Sequence, residues 1–263
     1  MAAWLDAATP WYGWATSALL LALAGLELAR GGGSTTLRLI TNLTCWIVGG
    51  WAVSWLPGSW FGSPVAQPFT WLRSVGGDSV VIAAGIVALD LFSYAMHRFE
   101  HHFDPLWRLH AVHHADVSVD ASTGVRHHPG EAIVVALVGG VLFGALGLPV
   151  GAMTAAGTLM VGWALIQHAD LPWAPAIDRV AAWVMVTPGL HRIHHSELAR
   201  HHGANFGTLF SVWDRLFGTL LQPDGEVLSY GIGAAGDGAA GLAGTQLLPL
   251  RIGRTAEIEG PPP

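Results

Sequence analysis

The sequence predicts an all-α fold: an integral membrane helical bundle of four or five membrane segments with a cytoplasmic histidine-rich helical cap. Three observations carry this. Of the 263 residues, 52% are hydrophobic and 11% charged, whereas a water-soluble domain carries about 25% charged residues. The apolar residues gather in stretches close to the roughly 20 that a helix needs to cross a hydrocarbon core. All 14 histidines fall between His97 and His202, at the ends of such stretches. Composition also excludes several functions. The 12 basic residues are all arginine, so lysine chemistry is absent. With a net charge of −6 and no basic run, a nucleic-acid partner lacks the clustered positive charge that phosphates require. Cys45 is the single cysteine, which rules out a disulfide framework or thiolate metal site, so any metal must be held by nitrogen or oxygen.

In chain order, Trp11 to Leu28 and Leu37 to Leu56 read as two spans, joined into a hairpin by the Arg30-Gly-Gly-Gly turn. No basic segment precedes the first, so it reads as a retained helix and not a cleaved signal peptide. Pro57 to Gly77, interrupted by Pro and Gly and rich in Trp and Phe, suits an interfacial loop or short re-entrant helix. Ser79 to Met96 is a third span that runs straight into His97. Ile133 to Leu146 and Val150 to Ile166, separated by Gly147-Leu-Pro149, form a second hairpin or two full crossings. Three regions follow: an N-terminal membrane hairpin and loop (1–77), a di-metal catalytic domain with membrane helices (78–222), and a Gly-rich tail, read as flexible (223–263). The tail's G-x-G-x-x-G at Gly231, Gly233 and Gly236 has no strand before it and no room for a βαβ unit, so it is not a nucleotide fingerprint.

Positive charge near span ends is retained in the cytoplasm. Arg30, Arg38, Arg98, Arg108, Arg126, Arg179, Arg192, Arg200 and Arg215 share one face if the N-terminus is outside, and only Arg73 lies opposite. The histidines are therefore expected on the cytoplasmic face, and a bacterial inner membrane is the expected location.

His97 and His101 stand four apart, on one face of a helix and about 6 Å from each other. His110-x-x-His113-His114 and His191-x-x-His194-His195 repeat one spacing, which offers two ligands to one side and a third turned by about 100°. Neutral imidazole suits Fe, Zn, Cu or Ni. Eight nitrogens exceed what one ion holds, so two metals sharing the cluster is the economical reading. His168 ends the fifth apolar segment and is expected to bind or support a ligand. His102, His201 and His202 are expected to support ligands or face solvent. Asp90 and Tyr94 share a helical face with His97 and are candidates to orient its ring.

A water-poor site rich in imidazole and poor in carboxylate favours redox chemistry on a lipid-soluble substrate over hydrolysis. Neither H-E-x-x-H nor G-x-S-x-G occurs. With no haem domain, flavin motif or iron–sulfur cysteines, electrons must come from a separate ferredoxin or cytochrome-type donor. The rival reading is a His-rich membrane metal transporter or metal-binding protein without oxygenase activity. It would need ligands recurring through the depth of the spans.

Over Asp90 to Thr219 the chain resembles the fatty acid hydroxylase and sterol desaturase superfamily. The resemblance is carried by Asp90-x-x-x-Tyr94-x-x-His97-Arg98-x-x-His101, Leu106-Trp107-x-x-His110-x-x-His113-His114 and Arg126-x-His128-Pro129 with Glu131. It continues through His168-Ala169, Pro188-x-x-His191-x-x-His194-His195-Ser196, Asn205-Phe206-Gly207 and Trp213-Asp214-Arg215-Leu216-Phe217-Gly218-Thr219. It implies a di-iron enzyme, with Zn as a surrogate, that uses O2 to hydroxylate or desaturate a fatty acyl, sterol, hopanoid or carotenoid chain. The implied metal set is His97, His101, His110, His113, His114, His128, His168, His191, His194 and His195. The first five and the last three of these are read as catalytic. Of the adjacent pair, the resemblance favours His128 over His127, because its histidine stands immediately before the proline. The chain departs from the pattern at Asp170 and Asp120, where Asn is usual, at Gly203, near which an acid is usual, and at Phe206, where Tyr is usual. Residues 1–77 carry no match.

Overall fold

A computed structural model describes residues 11–32, 35–56, 68–171, 173–222, 228–236, 239 and 241–252. They form helices and connecting loops, with two isolated β-bridges, Met185 to Phe210 and Ser196 to Tyr230. The long helices coincide with the expected apolar stretches: α1 (Trp11–Ala29), α2 (Thr36–Ser54), α3 (Pro68–His102), α5 (Pro129–Ala145) and α6 (Val150–His168). Between and after them come α4 (Asp104–His114), α7 (Pro175–Ala181), α8 (Pro188–His194), α9 (Val212–Leu216) and α10 (Leu242–Arg251). Among the described residues, α3 and α6 are long and apolar enough to cross a membrane, and Gly13–Ala29 and Pro129–Ala145 are shorter apolar helices.

Proline sets several helix starts. Pro105, Pro129, Pro175 and Pro188 each occupy a first turn, where a missing N–H costs nothing. The expected loop from Pro57 to Gly77 lies outside the described residues up to position 67. The rest of it is the first segment of α3, which bends at Gly77, whose φ of 72° suits glycine.

The helices pack as α2 on α5, α3 on α6 and on α4, and α1 on α6. A buried polar network ties α2 to the loop after α4. Arg38 pairs with Asp116 at 2.7 Å, and Asn42 donates to Asp116 and Ser122. Arg126, 1% exposed, donates to Asn42, to the Val112 carbonyl and to the Ala239 carbonyl. Although burial opposes it, hydrogen bonding by Arg38 and the Arg126 charge hold the Asp116 carboxyl below its ordinary range.

The tail is not the free segment that its glycines suggest. Ile232, Ala239, Leu248 and Ile252 join Trp107, Ala111, Val112 and Ala115 of the α4 region in one apolar core. Gly233–Gly236 forms a 3-10 turn. The apolar residues that dock it, Leu248 and Ile252 among them, stand in the Leu242–Ile252 stretch that follows the glycines. Residues 223–227 and 253–263 lie outside the described set.

Candidate metal centre

Four helices deliver the histidines to one place. α3 ends in His97 and His101, α4 carries His110, His113 and His114, α6 ends in His168, and α8 carries His191 and His194 with His195 as its C-cap. They sort into two groups: His97, His101, His110, His114 and His194 in one, His113, His168, His191 and His195 in the other. Within each group the donor atoms lie within 4.8 Å of one another. The doublets His113-His114 and His194-His195 each divide between the groups, because successive helical side chains diverge by about 100°. The groups abut, with the His114 and His195 rings stacked at 4.6 Å.

Hydrogen bonds on the outer side of the cluster set the tautomers. His97 Nδ1 meets the Phe206 carbonyl at 2.9 Å, His168 Nδ1 the Ala164 carbonyl at 2.6 Å, and His194 Nδ1 the Ala204 carbonyl at 2.8 Å. A carbonyl only accepts, so each Nδ1 carries the proton and each Nε2 turns a lone pair inward. His110 does the same through the Glu131 carboxylate at 2.9 Å. The Nε2 atoms of His97, His110 and His194 are buried with no protein partner. In the second group, His168 Nε2 stands 2.9, 3.0 and 3.2 Å from the Nε2 atoms of His191, His195 and His113. Lone pairs this close repel unless a cation or proton lies between them. Ligands at right angles on an ion with bonds of about 2.1 Å would stand about 3.0 Å apart. Burial, then the neighbouring imidazoles, hold His113, His114, His191, His194 and His195 well below the ordinary histidine range, which keeps them in the neutral form that binds metal. The residues present therefore fit two ions of borderline softness held by nitrogen.

Nine of the ten implied ligands are brought together; His128 is not. It is the N-cap of α5, its Nδ1 accepting from Gly130 N at 3.0 Å. The expectation for the adjacent pair is thus reversed in space. The residue before Pro129 is extended, so its ring folds onto the first turn of α5, and His127 is left facing the cluster. His127 stacks on His113 at 4.5 Å, donates to Glu131 at 2.8 Å, and is held above its ordinary range because the Glu131 carboxylate outweighs burial.

Asp90 and Tyr94 do not orient His97. Asp90 accepts from Leu209 N, Phe210 N and Trp213 Nε1, and the Tyr94 hydroxyl meets Thr219 Oγ1. Phe206 does that task through its carbonyl, and it is fixed by Asp214, which accepts from Phe206 N and Gly207 N at 2.8 Å each. The signal for Asp214 was present in Trp213-Asp214-Arg215, but nothing in its spacing links it to His97. Of the remaining histidines, His102 is exposed. His201 and His202 are buried and bind Ser196 through its hydroxyl and its carbonyl, bracing the loop after α8.

A cavity of about 640 Å³ lies among α2, α3, α5 and α6. Its wall includes Phe92, Phe143 and Met153 as well as His97, His113 and His168. Gly49, Gly50, Gly139, Gly140 and Gly157 also line it; a Cβ would meet open space at Gly50 and Gly157, while at Gly139 its absence admits the Phe92 ring.

Comparison with known proteins agrees with this geometry. The family model for fatty acid hydroxylase matches residues 82–219. The chain is 29% identical over 184 residues to ornithine lipid hydroxylase OlsE of Rhizobium tropici, covering 69% of this chain and 54% of the relative. It is 25% identical over 147 residues to alkylglycerol monooxygenase of Danio rerio, covering 56% and 31%. It is 25% identical over 180 residues to very-long-chain aldehyde decarbonylase GL1-6 of Oryza sativa subsp. indica, covering 62% and 26%. The chain thus spans about half the length of the Rhizobium relative and less of the others. No solved structure matches. The histidine pattern, its convergence on one centre and the matched residues together make this chain a member of the fatty acid hydroxylase family.

Proposed function

We propose that the protein is a membrane-bound di-iron oxygenase that hydroxylates a methylene in the hydrocarbon chain of a lipid. The observation that carries this reading is a cavity lined both by aromatic and aliphatic side chains and by imidazoles of the cluster. A chain lying in it places one carbon beside the histidines and the rest in apolar surroundings. The named relatives, a lipid hydroxylase and an alkylglycerol monooxygenase, favour the same substrate class.

His97, His101, His110, His114 and His194 would hold one ion, and His113, His168, His191 and His195 the other. Iron there supplies redox chemistry able to activate O2 against an unactivated C–H bond. The balance is one O2, two electrons and two protons per C–H, giving the alcohol and one water. The electrons come from a separate ferredoxin or cytochrome-type donor. The protein's own part is orientation and exclusion of water. Carbonyls of Phe206, Ala164 and Ala204 fix the rings, Glu131 bridges His110 and His127, and the glycine-lined chamber seats the chain. In this reading α1, α2 and α5 complete a five-segment bundle in a bacterial inner membrane, with the histidines on the cytoplasmic face.

Hydroxylation and desaturation begin with the same hydrogen abstraction, so the oxygen atom decides between them. Cells expressing the protein under oxygen-18 should contain a lipid heavier by one labelled oxygen. A new unsaturated lipid without label would contradict hydroxylation.

A further inference from the structure

The segments carrying α7 and α9 follow the last expected span, and their contacts place them along the sides of α3 and α6. α6 has 19 residues, about 28 Å at 1.5 Å per residue, which barely matches a hydrocarbon core of about 30 Å. Trp163, five residues before the end of α6, therefore lies about 7 Å inside it. Its indole N–H donates to the Val186 carbonyl at 2.8 Å, so Val186 lies at that depth too. On α3, Asp90 stands seven residues before His97, about 10 Å deeper, and binds Leu209, Phe210 and Trp213. Ser93, four residues before His97, meets Thr208 Oγ1 at 2.8 Å. Residues 182–186 and 207–213 thus run beside the spans, on the membrane side of the histidines.

Backbone at such depth must find its partners within the protein, and here it does. Asp90 takes two amides, Val186 N donates to the Leu209 carbonyl, Ser211 N to the Val184 carbonyl, and Ser211 Oγ and Arg215 both to the Ala182 carbonyl. The outward face is apolar: Ile177, Val180, Trp183, Val184, Val212 and Leu216 are 44 to 71% exposed. The acids turn inward. Asp178 accepts from Thr187 and Gly189 N, and Asp214 from Phe206 N and Gly207 N. Arg215 lies over the Trp183 ring at 4.6 Å, and Arg179 is exposed, long enough to carry its charge back to a lipid phosphate.

We infer that residues 175–186 and 207–217 form a re-entrant unit seated in the cytoplasmic leaflet, its apolar face covered by acyl chains. A monomer in water seldom exposes an apolar face of this extent. The inference rests on α3 and α6 crossing the membrane as proposed above, and is independent of the chemistry at the histidines.

Nitroxide labels at Val180→Cys, Val184→Cys and Leu216→Cys test it, each variant of the full chain being reconstituted in phosphatidylethanolamine–phosphatidylglycerol vesicles. Glu197→Cys, at an exposed residue after α8, is the aqueous reference. Cys45 is buried, and unsubstituted protein carried through labelling gives its background. A cooperative melting transition in detergent verifies that each variant folds; three separate sites keep the test open if one does not. The expected result is greater relaxation by O2 than by a water-soluble nickel chelate at 180, 184 and 216, and the reverse at 197. Access by nickel at the three sites would overturn the inference by placing the face in water. Exclusion of both reagents would overturn it by placing the face against protein, a second copy included.

Discussion

At the residue scale, the two doublets carry the most information. His113 and His194 each have an immediate neighbour of the same type, yet each neighbour serves the other group. Replacing His113, His114, His194 or His195 by Ala should abolish iron loading, measured as metal per chain. The expectation for His127 and His128 now separates two measurements. His128→Ala should keep its iron and lose about 1 kcal/mol of stability, the ordinary worth of a helix N-cap. Glu131→Ala should weaken metal binding by about 10- to 100-fold, the usual cost of losing an outer hydrogen-bond partner of a ligand, here His110, and His127→Ala, which removes a partner of Glu131 and a ring stacked on His113, should weaken it less. The clustered histidines were legible because their spacing on α3, α4 and α8 is local. The outer partners were not: the Phe206 and Ala204 carbonyls reach His97 and His194 only through the fold, and a backbone carbonyl leaves no mark in a sequence. His201 was expected to tolerate change; buried against Ser196, it should cost stability while sparing the metal.

At the element scale, the long helices were legible because each contains a run of apolar residues, and the start of α5 because Pro129 announces it. What composition hid was how the elements are tied together. Asp116, in the loop after α4, is shared by Arg38, Asn42 and Thr123, across sequence separations that no local pattern records. Asp116→Ala leaves Arg38 with the Asp120 carboxylate alone and takes from buried Arg126 the negative charge that offsets its burial; loss of one partner of a buried pair costs about 3–5 kcal/mol, an upper bound where a second carboxylate remains. The melting temperature of the variant in detergent checks this, and a change below about 1 kcal/mol would show that the network is dispensable. The tail teaches the same lesson: its glycines suggested freedom, while four apolar side chains and the Ala239 carbonyl secure it against α4 and Arg126.

At the scale of the whole molecule, a buried cluster of neutral imidazoles makes stability depend on pH. In metal-depleted protein, His113, His114, His191, His194 and His195 resist protonation, whereas in the unfolded chain they take up protons below about pH 6.5. Stability should therefore fall as pH drops through about 6.5, because the unfolded state gains protons that the folded state refuses. His127 and the Asp214 carboxyl, which burial raises, work in the opposite direction, since a raised value adds stability at low pH that is lost as pH rises; the histidines held low outnumber them and decide the sign. Thermal midpoints between about pH 7.5 and pH 5.5 check this, and a midpoint that rises on acidification would contradict it. The central claim, that two groups of histidines hold two irons, is tested most directly by counting iron in the purified chain. Two irons per chain are expected, with neither retained in full when one of the groups loses a ligand such as His194 or His195. One iron per chain, or two that survive both substitutions, would contradict the account.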